Sequence, residues 1–347
     1  MADQRQLIGS SLTGDVLEIG PGVRPYPTAP GARVSYADRS VEGGRRLNWP
    51  ELRDAPGGPN ADFDVDLDRD GLRTLSDASR DAVVASHVIE HLANPVAALV
   101  EFQRVLRPGG RLVLIVPDRE HTFDWVRAPT PFAHLWDEYR RGTVEVSEAH
   151  ITEFCRSIYM QSPVHPPQVR AWHDPKALDA GLLALHRRRS IHVHCWSPEE
   201  FASLLVNLLR EAALGFELAH TYFREDLPGG RGDEFGFVLV KPAAPLSAAA
   251  AAQGFIQDWC KQTLEISRAS PQRLRLFEAA LRRDLPSAAQ YWAAMPVQAL
   301  TARRLRARPA GLRPRDVRRL ALRSRQAMRE LLLPASRARS PQADGDR

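Results

Sequence analysis

The stretch Asp15 to Gly22, DVLEIGPG, constrains this chain more than any other, because within eight residues an apolar run meets a carboxylate and then two glycines. Val16, Leu17 and Ile19 have the β-branched and aliphatic character of a buried parallel strand. Gly20 and Gly22 allow a tight turn and a close approach of backbone to ligand. Glu18 then falls at the carboxyl end of the strand, where open α/β sheets bind their ligands. A second strand, Arg33 to Asp38 (RVSYAD), ends on another carboxylate twenty positions after Glu18. That spacing suits an acidic residue accepting both hydroxyls of an adenosine ribose. A glycine pair after a strand is by itself equally an ordinary turn, so the remaining segments have to decide.

They repeat the pattern. Asp62 to Leu67 (DFDVDL), Asp81 to Ser86 (DAVVAS) and Arg111 to Val116 (RLVLIV) read as a third, fourth and fifth strand. Asn94-Pro95 is a helix start, a cap followed by a first-turn proline. Val96, Leu99, Phe102, Val105 and Leu106 keep one face of that helix apolar, and Pro108-Gly109-Gly110 stops it. A short helix is expected around Leu47 to Leu52. Strands alternating with helices at this spacing predict a parallel sheet with right-handed crossovers. Phe216 to Tyr222 and Glu234 to Val240 read as a closing hairpin, so the expected fold class is α/β, a Rossmann-like, mostly parallel seven-stranded sheet with an antiparallel last strand. Between strand five and the helix start at Ser197-Pro198-Glu199-Glu200, residues 119–196 form an aromatic and histidine-bearing insertion, the size of a lid or substrate wall. The expected organisation is a catalytic domain over 1–241, a linker over 242–253, a helical C-terminal extension over 254–334 cut by several prolines, and a disordered tail over 335–347.

No run approaches the ~20 apolar residues of a membrane span, and Met1 to Ser10 lacks the apolar core of a signal peptide, so a cytoplasmic protein is expected. Cys155, Cys195 and Cys260 are too few and too dispersed for a disulfide framework or a cysteine zinc site. The net charge of +5 is unevenly spread. From Thr301 onward there are fourteen arginines against four carboxylates, +10, which leaves −5 for the first 300 residues. The basic segment suits an acidic protein partner or an anionic membrane face, and the high Arg, Ala and Pro content resembles that of a GC-rich bacterial genome.

With DVLEIGPG, the acidic end of strand two, VASHVIEHLANP at Val84 to Pro95 and LRPGGRLVLIVPD at Leu106 to Asp118, the sequence resembles the class I S-adenosylmethionine-dependent methyltransferases. The likeness covers roughly residues 12–240. DREHTFDWVRAPTPFAHLWDEY after strand five, with IHVHCWSPEEF at Ile191 to Phe201, is similar to a bacterial subgroup associated with surface-glycan pathways. The resemblance implies S-adenosylmethionine as cofactor. It places Glu18, Gly20, Pro21 and Gly22 on its methionine part, Asp38 and Arg39 at the ribose, Asp66 and Leu67 at the adenine, and Ser86 and His87 beside the sulfonium. Pro25, Pro27 and Pro30 stand where the family starts a helix after its first motif, so that helix is expected to be short or missing. Asp64 and Asp68 compete with Asp66 for the adenine.

Methyl transfer to a hydroxyl needs a base, and histidine suits that task near neutral pH. The candidates are His87, His91, His121, His150, His192 and His194, with His194 favoured, then His150 and His87. His192 and His194 alternate along an extended segment and point the same way. With His150 they suit a base or a metal site, and hydrogen-bonded histidines that order the lid are preferred over a metal. Arg119, Asp124 and Arg127 are expected to bind a polar acceptor, against the alternative of a surface ion-pair cluster. The expected activity is O-methylation of a sugar, glycan or other small polar molecule. The alternatives are an RNA methyltransferase drawing on the basic tail and a non-catalytic partner of a glycosyltransferase.

Overall fold

The computed structural model describes residues 3–39, 58–161, 171–189, 191–211, 213–228, 232–266 and 270–282. The helix expected near Leu47, the arginine-rich segment and the expected disordered tail lie outside the described residues.

Seven strands form one sheet: β1 (Asp15–Ile19), β2 (Arg33–Asp38), β3 (Phe63–Asp64), β4 (Arg80–Ser86), β5 (Leu106–Pro117), β6 (Glu217–Tyr222) and β7 (Glu234–Val240). Their spatial order is β3-β2-β1-β4-β5-β7-β6. The first five run parallel to one another, and β7 runs antiparallel to both β5 and β6. The continuous apolar runs of β4 and β5 are explained by this layering: Val83, Val84, Leu112, Val113 and Leu114 are fully buried because helices or loops cover both faces. The sheet reverses direction of growth between β1 and β4, so the carboxyl ends of those strands open onto a crevice. The third strand is shorter than Asp62 to Leu67, since only Phe63 and Asp64 pair with β2. Past them the chain turns back to serve other roles.

The helices follow their start signals. Helix α1 (Gln4–Gly9) precedes the sheet, and α2 (Pro95–Val105) starts on Asn94, whose side-chain oxygen accepts from Ala97 N at 3.1 Å. No helix lies between β1 and β2, as the three prolines there require. The insertion after β5 supplies α3 (Phe132–Arg141), α4 (Glu148–Met160) and α5 (Ala180–Arg189), with a small apolar centre of its own from Ile151, Phe154, Cys155, Ile158, Ile191 and Val193. Helix α6 (Pro198–Arg210) begins in a capping box, Ser197 with Glu200.

The boundary expected at 242–253 is moved by the structure. Helix α7 (Ala248–Ile266) starts inside the expected linker and is followed by α8 (Ser270–Arg282). Ala251, Phe255, Ile256, Trp259, Phe277 and Leu281 join the same core as β5, β7 and α6. Trp259 stacks on Phe237 of β7 at 5.4 Å between ring centroids. The alanine-rich composition that reads as a linker is an apolar helix face once a partner surface is available. Among the described residues no helix is long and apolar enough to cross a membrane.

Candidate functional site

Three carboxylates were expected at the carboxyl edge of the sheet, and the strand order brings two of them, Glu18 and Asp38, onto adjacent strands. Glu18 is 2% exposed. One carboxylate oxygen accepts from Tyr26 N at 2.9 Å and the other has no hydrogen-bond partner among the described residues. Gly20 and Gly22, both in the left-handed region at φ +59 and +58, turn the chain past it, and Gly20 N donates to Ala37 O of β2 at 2.8 Å. Among the described residues no atom lies within 4 Å of where a Gly22 Cβ would stand. A buried carboxylate oxygen with no donor among those residues suits a ligand that donates a hydrogen bond or carries positive charge.

Asp38 Oδ1 accepts from Arg39 N at 2.8 Å, and Arg39 reaches the Arg188 carbonyl of α5 at 3.0 Å. The competition among the three aspartates after β3 is narrowed by the fold. Asp68 accepts from Ala93 N and Asn94 N, both at 2.9 Å, and so is committed to the start of α2. Asp64 lies in β3 opposite Asp38. Asp66 is half-buried on the turn between them, followed by buried Leu67.

Burial pushes the Glu18 carboxyl up to about 7, against the opposing Tyr26 hydrogen bond and the Arg5 charge. The folded chain therefore holds a proton that the unfolded chain releases between the ordinary carboxylate range and pH 7. Stability from this group is full at low pH and is lost as pH rises to 7, an effect of about 3 kcal/mol. Thermal unfolding of Glu18→Gln is expected to match wild type at pH ~4, below the ordinary carboxylate range, and to exceed it at pH ~7.5. An equal difference at both pH values would contradict this.

Ser86 and His87 follow β4. His87 takes φ +54, uncommon for a non-glycine residue. Its Nε2 lies 2.9 Å from Glu234 and its Nδ1 3.6 Å from fully buried Glu90, while Tyr222 donates to the same Glu234 at 2.9 Å. Burial disfavours charge on this imidazole, but the two carboxylates outweigh it and raise it to about 10. The two carboxylates favour the protonated ring, a state suited to holding charge rather than to accepting a proton.

The other two favoured bases are displaced as well. His150 and His194 are buried inside the lid, 3% and 0% exposed, together with His134 and Glu138. Burial holds His150 down to about 3 and His194 well below the usual imidazole range. Neither faces the sheet edge as a solvent-reachable base.

Arg119, Asp124 and Arg127 are buried and ion-paired rather than a surface cluster. All five N–H groups of Arg127 are engaged: by Glu153, by Asp124 at 2.8 Å, and by the His192 and Val193 carbonyls at 2.8 and 2.9 Å. Arg119 forks onto Glu200 at 2.8 and 3.0 Å, the residue that also caps α6. Arg127 ties the segments of the lid to one another, and Arg119 ties the lid to α6. The TFDWVR run carries no mark of burial, so its arginine and aspartate read as polar surface until the fold closes over them.

The sheet edge itself presents a different pair. Asp118, 2% exposed at the end of β5, accepts from His121 Nδ1 at 2.8 Å. The His121 side chain keeps 32% of its surface open. An Asp-x-x-His spacing directly after a strand was visible in the sequence, where His121 was one candidate among six. A second dyad, His192 Nδ1 to Asp124 at 2.6 Å, is more enclosed.

Residues 59–114 match the family model described as a methyltransferase domain. The chain is 30% identical over 202 residues to the demethylmenaquinone methyltransferase of Mycobacterium sp. strain KMS, covering 54% of this chain and 74% of that protein. The chain belongs to the class I S-adenosylmethionine-dependent methyltransferases. S-Adenosylmethionine is therefore the cofactor of this methyltransferase, and the buried Glu18 oxygen beside the Gly22 turn suits a cationic ligand. It is also 29% identical to a human thiol S-methyltransferase over 166 residues, covering 43% of this chain and 57% of that one. A 44-residue match at 52% identity to an uncharacterised 37.1 kDa protein of transposon Tn4556 from Streptomyces fradiae spans 13% of each chain. Among solved structures, a methyltransferase of Methanosarcina mazei is similar at 16% identity and a TM-score of 0.35, covering 70% of this chain and all of that one.

Proposed function

We propose that this methyltransferase methylates a hydroxyl of a small polar acceptor, a sugar or glycan, and that His121 removes the hydroxyl proton. The observation that carries the reading is the Asp118–His121 dyad on the carboxyl edge of the sheet. A thiol is deprotonated far more easily than a hydroxyl, so a carboxylate-steadied imidazole has most to contribute when the acceptor is an alcohol.

Glu18, Gly20, Pro21 and Gly22 would hold the methionine part of the cofactor, Asp38 and Arg39 its ribose, and Asp66 and Leu67 its adenine. Ser86 and His87 would stand beside the sulfonium. When bound, S-adenosylmethionine supplies an electrophilic methyl group. The chain's own residues do the rest by position and charge. Burial opposes the charges of Glu90 and Glu234, yet their histidine partners and the Tyr222 hydroxyl hold both carboxyls below their usual range. With His87 they form a group of net −1 that favours a cation at the cofactor edge. As the acceptor oxygen reacts, its proton passes to His121 Nε2, and Asp118, hydrogen-bonded to Nδ1, fixes the ring and stabilises the imidazolium. The lid, anchored through Arg119 and Arg127, keeps water from the reacting oxygen.

Calorimetric titration of S-adenosylmethionine into the full chain is expected to show binding that Asp38→Ala weakens by about 1–3 kcal/mol, the worth of lost charge-assisted hydrogen bonds. Mass spectrometry of reactions with nucleotide sugars and glycans is then expected to find an O-methyl product. Methylation of thiols or quinols with none of the sugars accepted would overturn the choice of acceptor, and unchanged affinity in Asp38→Ala would overturn the ribose assignment.

A further inference from the structure

Away from the cofactor edge, the lid gathers four metal-ligating side chains from three segments. His134 and Glu138 lie one turn apart on α3, His150 is in the first turn of α4, and His194 comes from the extended segment before α6. Each offers one ligand atom, and these atoms all lie within 4.8 Å of one another. Their exposures are 4%, 9%, 3% and 0%. This is a converging, desolvated set of three imidazoles and a carboxylate.

The separations are those of a coordination polyhedron. Zinc bonds of about 2.0–2.1 Å to nitrogen and oxygen give a tetrahedron with edges of roughly 3.3–3.4 Å. His134 Nε2 lies 2.9 Å from His150 Nε2 and 3.3 Å from Glu138 Oε1. His150 Nε2 lies 3.4 Å from the same oxygen, and His194 Nε2 lies 3.6 Å from Glu138 Oε2. These four distances, which run to both Glu138 oxygens, lie near the ideal edge, and the whole set stays within 4.8 Å, so side-chain shifts on the ångström scale bring the atoms onto one ion.

The polar accounting points the same way. Glu138 Oε2 and His194 Nε2 are buried atoms with no hydrogen-bond partner among the described residues, an arrangement that costs free energy unless something else satisfies them. Ser147 Oγ sits 2.8 Å from His150 Nδ1 and fixes the ring with Nε2 inward, the outer-shell contact that metal-bound histidines use. Arg127, whose charge bears on His150 and His194, is already covered by Asp124 and Glu153.

We propose that His134, Glu138, His150 and His194 bind one Zn²⁺ in a closed structural site. Three nitrogens and one oxygen in a tetrahedral set suit zinc, and four buried protein ligands make a structural rather than a catalytic site. The ion ties α3 and α4 to the segment that enters α6, and so sets the lid against the sheet. This site stands apart from the methyl-transfer reading and does not depend on it.

The test uses the full chain without a polyhistidine tag, loaded with Zn²⁺ and dialysed into metal-free buffer. Elemental analysis is expected to find about one zinc per chain, and chelation is expected to lower the thermal midpoint. Glu138→Gln and His150→Ala are expected to weaken zinc by at least the ~10–100-fold that even outer-shell changes cost. If those variants fail to fold, Co²⁺ loading of the wild type gives a second readout, the visible absorption of a four-coordinate ion. A wild type that retains no stoichiometric zinc and shows no such absorption would overturn the site, as would a Glu138→Gln variant that holds zinc as tightly as the parent.

Discussion

His121→Ala is expected to lower kcat by about 10²–10⁴-fold while leaving S-adenosylmethionine affinity within about twofold, because a positioned general base contributes on that scale to a proton transfer. The side chain lies on the carboxyl edge and belongs to no core cluster, so its removal leaves the fold intact. Added imidazole is expected to restore part of the rate, since the vacated space beside Asp118 accepts a free base in the same orientation. Asp118→Asn is expected to lose rate as well, because the amide cannot stabilise the imidazolium as the carboxylate does. A full-speed His121→Ala enzyme, measured with a saturating sugar acceptor, would remove the base and shift attention to the more enclosed His192–Asp124 pair.

Arg127→Met is expected to destabilise the chain by about 3–5 kcal/mol, the cost of stranding buried partners of an ion pair. Arg127 and Asp124 are each 1% exposed as side chains and Glu153 is 3%. Without the guanidinium Glu153, Asp124 and the carbonyls of His192 and Val193 each lose a donor at once, and Asp124 keeps another partner in His192. Lysine cannot replace it, because an ammonium group lacks the planar fork that reaches four partners. Removing the charges together, as Arg127→Met with Asp124→Asn and Glu153→Gln, is expected to recover part of the loss. Denaturant unfolding reads both outcomes. A single variant within about 0.5 kcal/mol of wild type would mean that water, not protein, solvates this cluster.

The sheet and the cofactor edge were legible in the sequence because their signals are local. A buried parallel strand needs an unbroken apolar run, as at Val83 to Ala85, and the backbone past Glu18 needs glycine at its left-handed turns. Pro25, Pro27 and Pro30 also pointed to a short or missing helix after β1, and none follows it. The lid was not legible in that way. Arginines and aspartates at 119–127 carry the same chemistry whether they face an acceptor or one another, and only closure of α4 and the 191–196 segment over them decides which. Only the start of helix α7 was misread, for a related reason, since Ala248 to Ala252 is featureless until Phe237 and α6 supply a surface to cover.

The histidines mark the same division. Residue type and spacing alone determined that several imidazoles would gather after β4 and β5, and that Asp38 and Glu18 would share one end of the sheet. The tertiary structure alone decided their states. It set Glu234 of β7 against His87 and so fixed its charge, steadied His121 with Asp118, and drew His134, Glu138, His150 and His194 into one dry cluster. The physical reason is range. Backbone propensity acts over a few residues, whereas desolvation and ion pairing act through space, between residues as distant in sequence as His87 and Glu234.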